Sequence, residues 1–84
     1  MNYSVNILRR SQKELADISR EVYPRICEAL QSLADNPRPS GCLKLKDREG
    51  WRIRVGNYRI LYKIDDQQKI VTIVHIRHRR DVYD

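Results

Sequence analysis

The chain has 84 residues, a length that fits one small domain over 1–84 and leaves no room for a second core. Its apolar residues fall in periodic blocks. No run approaches the about 20 apolar residues that cross a bilayer, and the N-terminus lacks a signal-peptide core, so a cytoplasmic protein with no membrane partner is expected. Cys27 and Cys42 have neither CxxC spacing nor enough company for a disulfide scaffold or zinc ribbon, and read as buried or idle thiols.

Seventeen Lys and Arg stand against eleven Asp and Glu, a formal net charge of +6. The excess is unevenly placed. Over residues 1–36, Arg9, Arg10, Lys13, Arg20 and Arg25 balance Glu14, Asp17, Glu21, Glu28 and Asp35, so residues 37–84 carry all of it. Arginines outnumber lysines twelve to five, and arginine forks onto phosphates and stacks on bases. A polyanion, most simply nucleic acid, is the first partner to test.

In chain order, Tyr3, Val5 and Ile7 alternate with polar neighbours over residues 2–9, the pattern of a half-buried strand. Ser11 and Glu14 have the spacing of a capping box, which predicts a helix start at Ser11 with Leu15, Ile18 and Val22 on its apolar stripe. Pro24 suits a first helical turn and predicts a second helix, with Ile26, Ala29, Leu30, Leu33 and Ala34 facing the core up to Asn36-Pro37. A Pro- and Gly-bearing connector follows over 36–42. Leu43 and Leu45 alternate with Lys44 and Lys46 as a strand, and Asp47 to Gly50 reads as a turn. Trp51 to Val55 and Tyr58 to Ile64 flank Gly56-Asn57, a two-residue hairpin signal with glycine first. Residues 70–76 are apolar nearly throughout, as in a central strand covered on both faces, and place His75 as a hydrogen-bonded core residue. The order is strand, two helices, then an antiparallel strand meander: an α+β fold with the helices on one face of the sheet.

The hairpin register sets Arg54 opposite Arg59 and Arg52 opposite Leu61, so Arg52, Arg54 and Arg59 share the face turned away from the helices. A single arginine on a wet strand face is ordinary. Three together, followed by the tail Arg77-His78-Arg79-Arg80 and without compensating acids, point to an anion site, because like charges opposite one another cost stability. Lys44 and Lys46 read first as a solvated edge and second as phosphate contacts, and Arg77 and Arg80 as further RNA-binding candidates. His78 is an acid or base candidate if it lies near phosphates, and Tyr83 a base-stacking candidate if it is pinned beside the arginine face.

No Ser-His-Asp arrangement, phosphate loop, carboxylate cluster or Cys/His ligand spacing occurs, so neither a metal nor a cofactor is expected. One reaction fits such a chain: RNA cleavage by the substrate's own 2′-hydroxyl, which needs orientation, cations for the developing charge and help for the leaving 5′-oxygen.

The run Trp51-Arg52-Ile53-Arg54-Val55-Gly56-Asn57-Tyr58-Arg59-Ile60-Leu61-Tyr62, with the closing Ile76-Arg77-His78-Arg79-Arg80-Asp81-Val82-Tyr83, resembles the RelE branch of the RelE/ParE toxin superfamily. The resemblance spans the chain and implies a β-α-α-β-β-β domain. It further implies a metal-independent endoribonuclease that cuts mRNA in the ribosomal 30S A site, and a RelB-like antitoxin whose acidic segment wraps the toxin. By the same resemblance Arg52 and Arg54 occupy the strand positions of catalytic lysines, Arg59 and Arg79 hold the scissile phosphate, and Tyr83 stacks on the substrate base. This chain departs from the pattern in two places. Arg52 and Arg54 are poor proton acceptors where lysine could serve, leaving His78 as the base or catalysis as mainly electrostatic, and Arg77 replaces a glycine. The alternatives are a ParE-like inhibitor of DNA gyrase and a non-catalytic member that binds only RNA or its antitoxin.

Overall fold

The computed structural model describes residues 2–81. Strand β1 (Ser4–Ile7) leads into helix α1 (Arg9–Ala16) and helix α2 (Tyr23–Asp35), followed by β2 (Leu43–Lys44), β3 (Trp51–Val55), β4 (Tyr58–Asp65) and β5 (Ile70–His78), with a 3₁₀ turn at Arg79–Asp81. The strands form one sheet in the order β1-β5-β4-β3-β2. β1 joins β5 in parallel, and the other pairs are antiparallel. The α+β expectation holds, with β2 reduced to two residues because the chain leaves the sheet at Leu45.

Ile26, Leu30 and Leu33 of α2 are buried against Ile53, Ile60, Tyr62, Val71, Ile73 and Ile76 on the inner face of the sheet. Pro24 lies in the first turn of α2, where its missing N–H costs nothing. The hairpin register is the expected one, Arg54 to Arg59 and Ile53 to Ile60 included. Gly56 supplies the positive φ of +59° that the first turn position demands. Tyr62 is 1% exposed and its hydroxyl donates to the Pro37 carbonyl at 2.7 Å, tying the connector down. Burial, with Cys42 nearby, pushes the Tyr62 phenol above its usual range.

Two local expectations are corrected. The capping box does not form: α1 starts at Arg9 behind Leu8, which makes no side-chain cap, and Ser11 is wholly buried within the helix. α1 also ends at Ala16, so Ile18 and Val22 reach the core from the connecting turn. The reason lies at the sheet edge. β1 pairs with β5 only as far as Ile7 and Ile73, so beyond Ile73 the edge of β5 turned away from β4 has no strand beside it. Side chains of α1 take that place. Ser11 Oγ donates to Ile73 O at 3.0 Å, Arg10 Nε donates to Val74 O at 3.1 Å, and Glu14 Oε1 accepts from Ile76 N at 2.7 Å. Satisfying buried strand-edge groups outweighs a solvent-exposed helix cap.

The second correction concerns His75. The β4–β5 ladder pairs Leu61 with His75 and then Tyr62 with Ile73, so Val74 is an extra residue on β5. Such a bulge shifts the alternation by one. Ile73 and Ile76 both face the core, and His75 and Arg77 turn to the outer face with the arginines.

Candidate functional site: an arginine row on the outer face of the sheet

Arg54 of β3 pairs with Arg59 of β4, and Arg59 pairs in turn with Arg77 of β5. The three form one row across three adjacent strands, whose spacing is about 4.8 Å. The neighbouring row is Arg52, Leu61 and His75. Arg54 is exposed, whereas Arg52, Arg59 and Arg77 are half-buried. The chain from Leu43 to Arg48 rises beside them and closes a groove of about 660 Å³, lined also by Arg52, Arg54 and Arg59. A smaller hollow of about 250 Å³ lies between Leu45, Leu61 and His75, with Arg10, Arg48 and Lys63 at its rim. Gly50 is what lets the segment return to β3. Its φ is +134°, and a Cβ there would stand 3.0 Å from Tyr62 O.

The other candidates are distributed as follows. Lys46 is exposed on the groove wall. Lys44 borders the groove, but it pairs with Trp51 and its ammonium lies 5.4 Å from the centre of that ring, with Arg38 also over the ring at 5.2 Å. His78 pairs with Tyr58, on the face opposite the arginine row. Its ring meets Tyr58 edge-on at 5.2 Å, and its Nδ1 accepts from the Arg80 amide at 3.3 Å. Arg79 and Arg80 are exposed in the 3₁₀ turn, where Arg79 N donates to Asn57 O at 2.7 Å and holds the turn against the hairpin loop. Tyr83 lies outside the described residues.

Sequence reasoning missed two members of this face. An apolar run gives no sign of a bulge, so the sequence places His75 in the core. The spacing assigns Glu14 to a cap, yet its carboxylate accepts from Ile76 N, meets His75 Nδ1 at 3.1 Å and lies 3.6 Å from Arg77 Nε. The basic face therefore has a compensating acid, brought from the neutral helical half. Only the spatial pairing of α1 with β5 discloses it.

The outer sheet face thus gathers guanidinium groups beside a groove, and known proteins share both its sequence pattern and its fold. Residues 5–83 match the family model described as the ParE toxin of the type II toxin-antitoxin system parDE. A RelE-like toxin protein of Escherichia coli is 30% identical over 100% of this chain and 93% of its own length. Toxin RelG of Mycobacterium tuberculosis is 29% identical over 99% and 98%. The archaeal RelE–RelB complex from Pyrococcus horikoshii superimposes with a TM-score of 0.84 at 26% identity, covering 98% of this chain and 100% of that one. The chain thus belongs to the toxin family of type II toxin-antitoxin systems that the ParE model describes. Within it, the chain is a RelE-like toxin.

Proposed function

We propose that this toxin is a ribosome-dependent endoribonuclease that cuts mRNA in the A site and so halts translation. The observation that carries the reading is the row Arg54, Arg59 and Arg77 beside an open groove. Guanidinium groups fixed on neighbouring strands can hold a phosphate and stabilise the charge that develops on it, while the substrate's 2′-hydroxyl supplies the nucleophile. The products are a 2′,3′-cyclic phosphate and a free 5′-hydroxyl, and no metal takes part. Arg52, Arg54, Arg59 and Arg79 act as charge donors. His78 faces away from the row and is a weaker candidate for the proton acceptor than its sequence position suggests. The antitoxin is a RelB-like partner with an acidic segment, in keeping with the net charge of +6 and with the antitoxin in the Pyrococcus horikoshii complex.

Purified toxin mixed with programmed ribosomes should yield mRNA ends within the A-site codon, mapped by primer extension, and a 2′-deoxynucleotide at the cut position should abolish them. Absence of A-site ends together with inhibited gyrase supercoiling would instead establish the gyrase reading.

A further inference from the structure

Glu14, His75 and Arg77 form a chain of contacts that ends in the arginine row. Glu14 Oε2 meets His75 Nδ1 at 3.1 Å, and His75 Nε2 meets Arg77 Nη2 at 3.3 Å. Arginine can only donate, so Nε2 must accept and the imidazole proton sits on Nδ1, directed at the carboxylate. Arg77 is gripped from two sides, by the ring at Nη2 and by the carboxylate 3.6 Å from Nε, and its side chain is still 38% exposed. Glu14 itself is anchored by the Ile76 amide.

Without that grip the position of Arg77 would be unfavourable, since it stands directly across from Arg59. We propose that Glu14 is a positioning residue for RNA binding: acting with His75, it holds Arg77 in register with Arg59 and Arg54 so that the row meets consecutive phosphates. This rests on the reading of the row as an RNA-phosphate site.

The proposal fixes a sign that opposes simple electrostatics. Removing a carboxylate from a protein of net charge +6 should tighten its hold on RNA if Glu14 contributes only to the overall field. If Glu14 positions Arg77, Glu14→Gln weakens binding, because glutamine keeps an acceptor for the Ile76 amide but loses the charge that holds the guanidinium. The probe is a short 5′-labelled single-stranded RNA, titrated at fixed salt against wild type, Glu14→Gln, Arg77→Ala and the double variant, with thermal melts alongside. Arg77→Ala should weaken binding about tenfold, the usual worth of one charge-assisted contact. Glu14→Gln should weaken it several-fold in the wild-type background and by less than about twofold in the Arg77→Ala background, the non-additivity expected when one residue acts through the other. His75→Asn keeps a donor toward Glu14 and removes the acceptor for Arg77; it serves as the second probe if Glu14→Gln melts, and should also cost a few-fold.

Tighter or unchanged binding in Glu14→Gln, or an equal loss in both backgrounds, overturns the proposal. Arg59→Ala separates this from failure of the wider reading. If Arg59→Ala weakens RNA binding and the Glu14 and His75 variants do not, the positioning role alone falls. If neither Arg59→Ala nor Arg77→Ala changes binding, the RNA site falls and the positioning role with it.

Discussion

Arg59 stands between two other arginines, and its placement makes it the most informative single residue of the site. Loss of one positioned donor from a site that stabilises developing charge typically costs about 10²–10³ in rate. Arg59→Ala should therefore lower A-site cleavage on programmed ribosomes by about that factor; cleavage within a few-fold of wild type would remove Arg59 from the reacting centre. Gly50 is the corresponding residue for stability. Its φ of +134° and the 3.0 Å from a would-be Cβ to Tyr62 O mean that Gly50→Ala strains the return into β3. The expected loss is about 1–3 kcal/mol, measured by urea unfolding. A carbonyl oxygen in the sheet cannot yield as a flexible side chain could, so the groove wall from Leu43 to Arg48 should loosen as well.

Between elements, the α1–β5 seam is held by side chains bonded to the strand backbone. Ser11 donates to Ile73 O from a fully buried position, and Ser11→Ala removes that bond while Leu8 N still reaches the same oxygen at 3.2 Å. The variant should lose about 0.5–1.5 kcal/mol by urea unfolding. This seam also marks where sequence reading stopped. Alternation in β3 and β4 placed Arg52, Arg54 and Arg59 on one face, because glycine-first hairpins have a single register compatible with a buried inner face. Nothing comparable reports a bulge inside an apolar run, so the shift at Val74 and the outward turn of His75 were hidden. The Ser11 and Glu14 spacing was real, but long-range backbone groups took both side chains from the cap. Local patterns encode partners a few residues away, whereas Ile73 and Ile76 approach α1 only through the fold. The candidate site was therefore legible where it lies within one hairpin and obscure where a helix contributes to it.

For the molecule as a whole, acid should weaken the fold at the end of the sheet away from the arginine row. Asp66 accepts from the Tyr3 hydroxyl at 2.6 Å and from Arg38 at 2.9 Å, linking β1, the connector after α2 and the turn between β4 and β5. Arg38, followed by Tyr3, holds the Asp66 carboxyl down at about 2. An unfolded aspartate titrates near about 4, so the folded chain gains from the ionised form. That contribution is present above about pH 4 and is lost as pH falls from there toward 2. Urea midpoints should fall over that interval, and in Asp66→Asn, already less stable at neutral pH, the fall should be smaller.

The parallel join of β1 to β5 has a consequence for how the molecule assembles in time. Ser4 meets Ile70 across nearly the whole described chain, whereas β3, β4 and β5 are joined by short turns. Closing the long loop carries most of its entropy cost before any contact repays it, while the hairpins form locally. Stopped-flow refolding should therefore find Ile60→Val slowing folding and Val5→Ala mainly speeding unfolding. The sheet that bears the arginine row would then take shape first, with its basic face exposed, and β1, which precedes it in the chain, would be the last strand to dock.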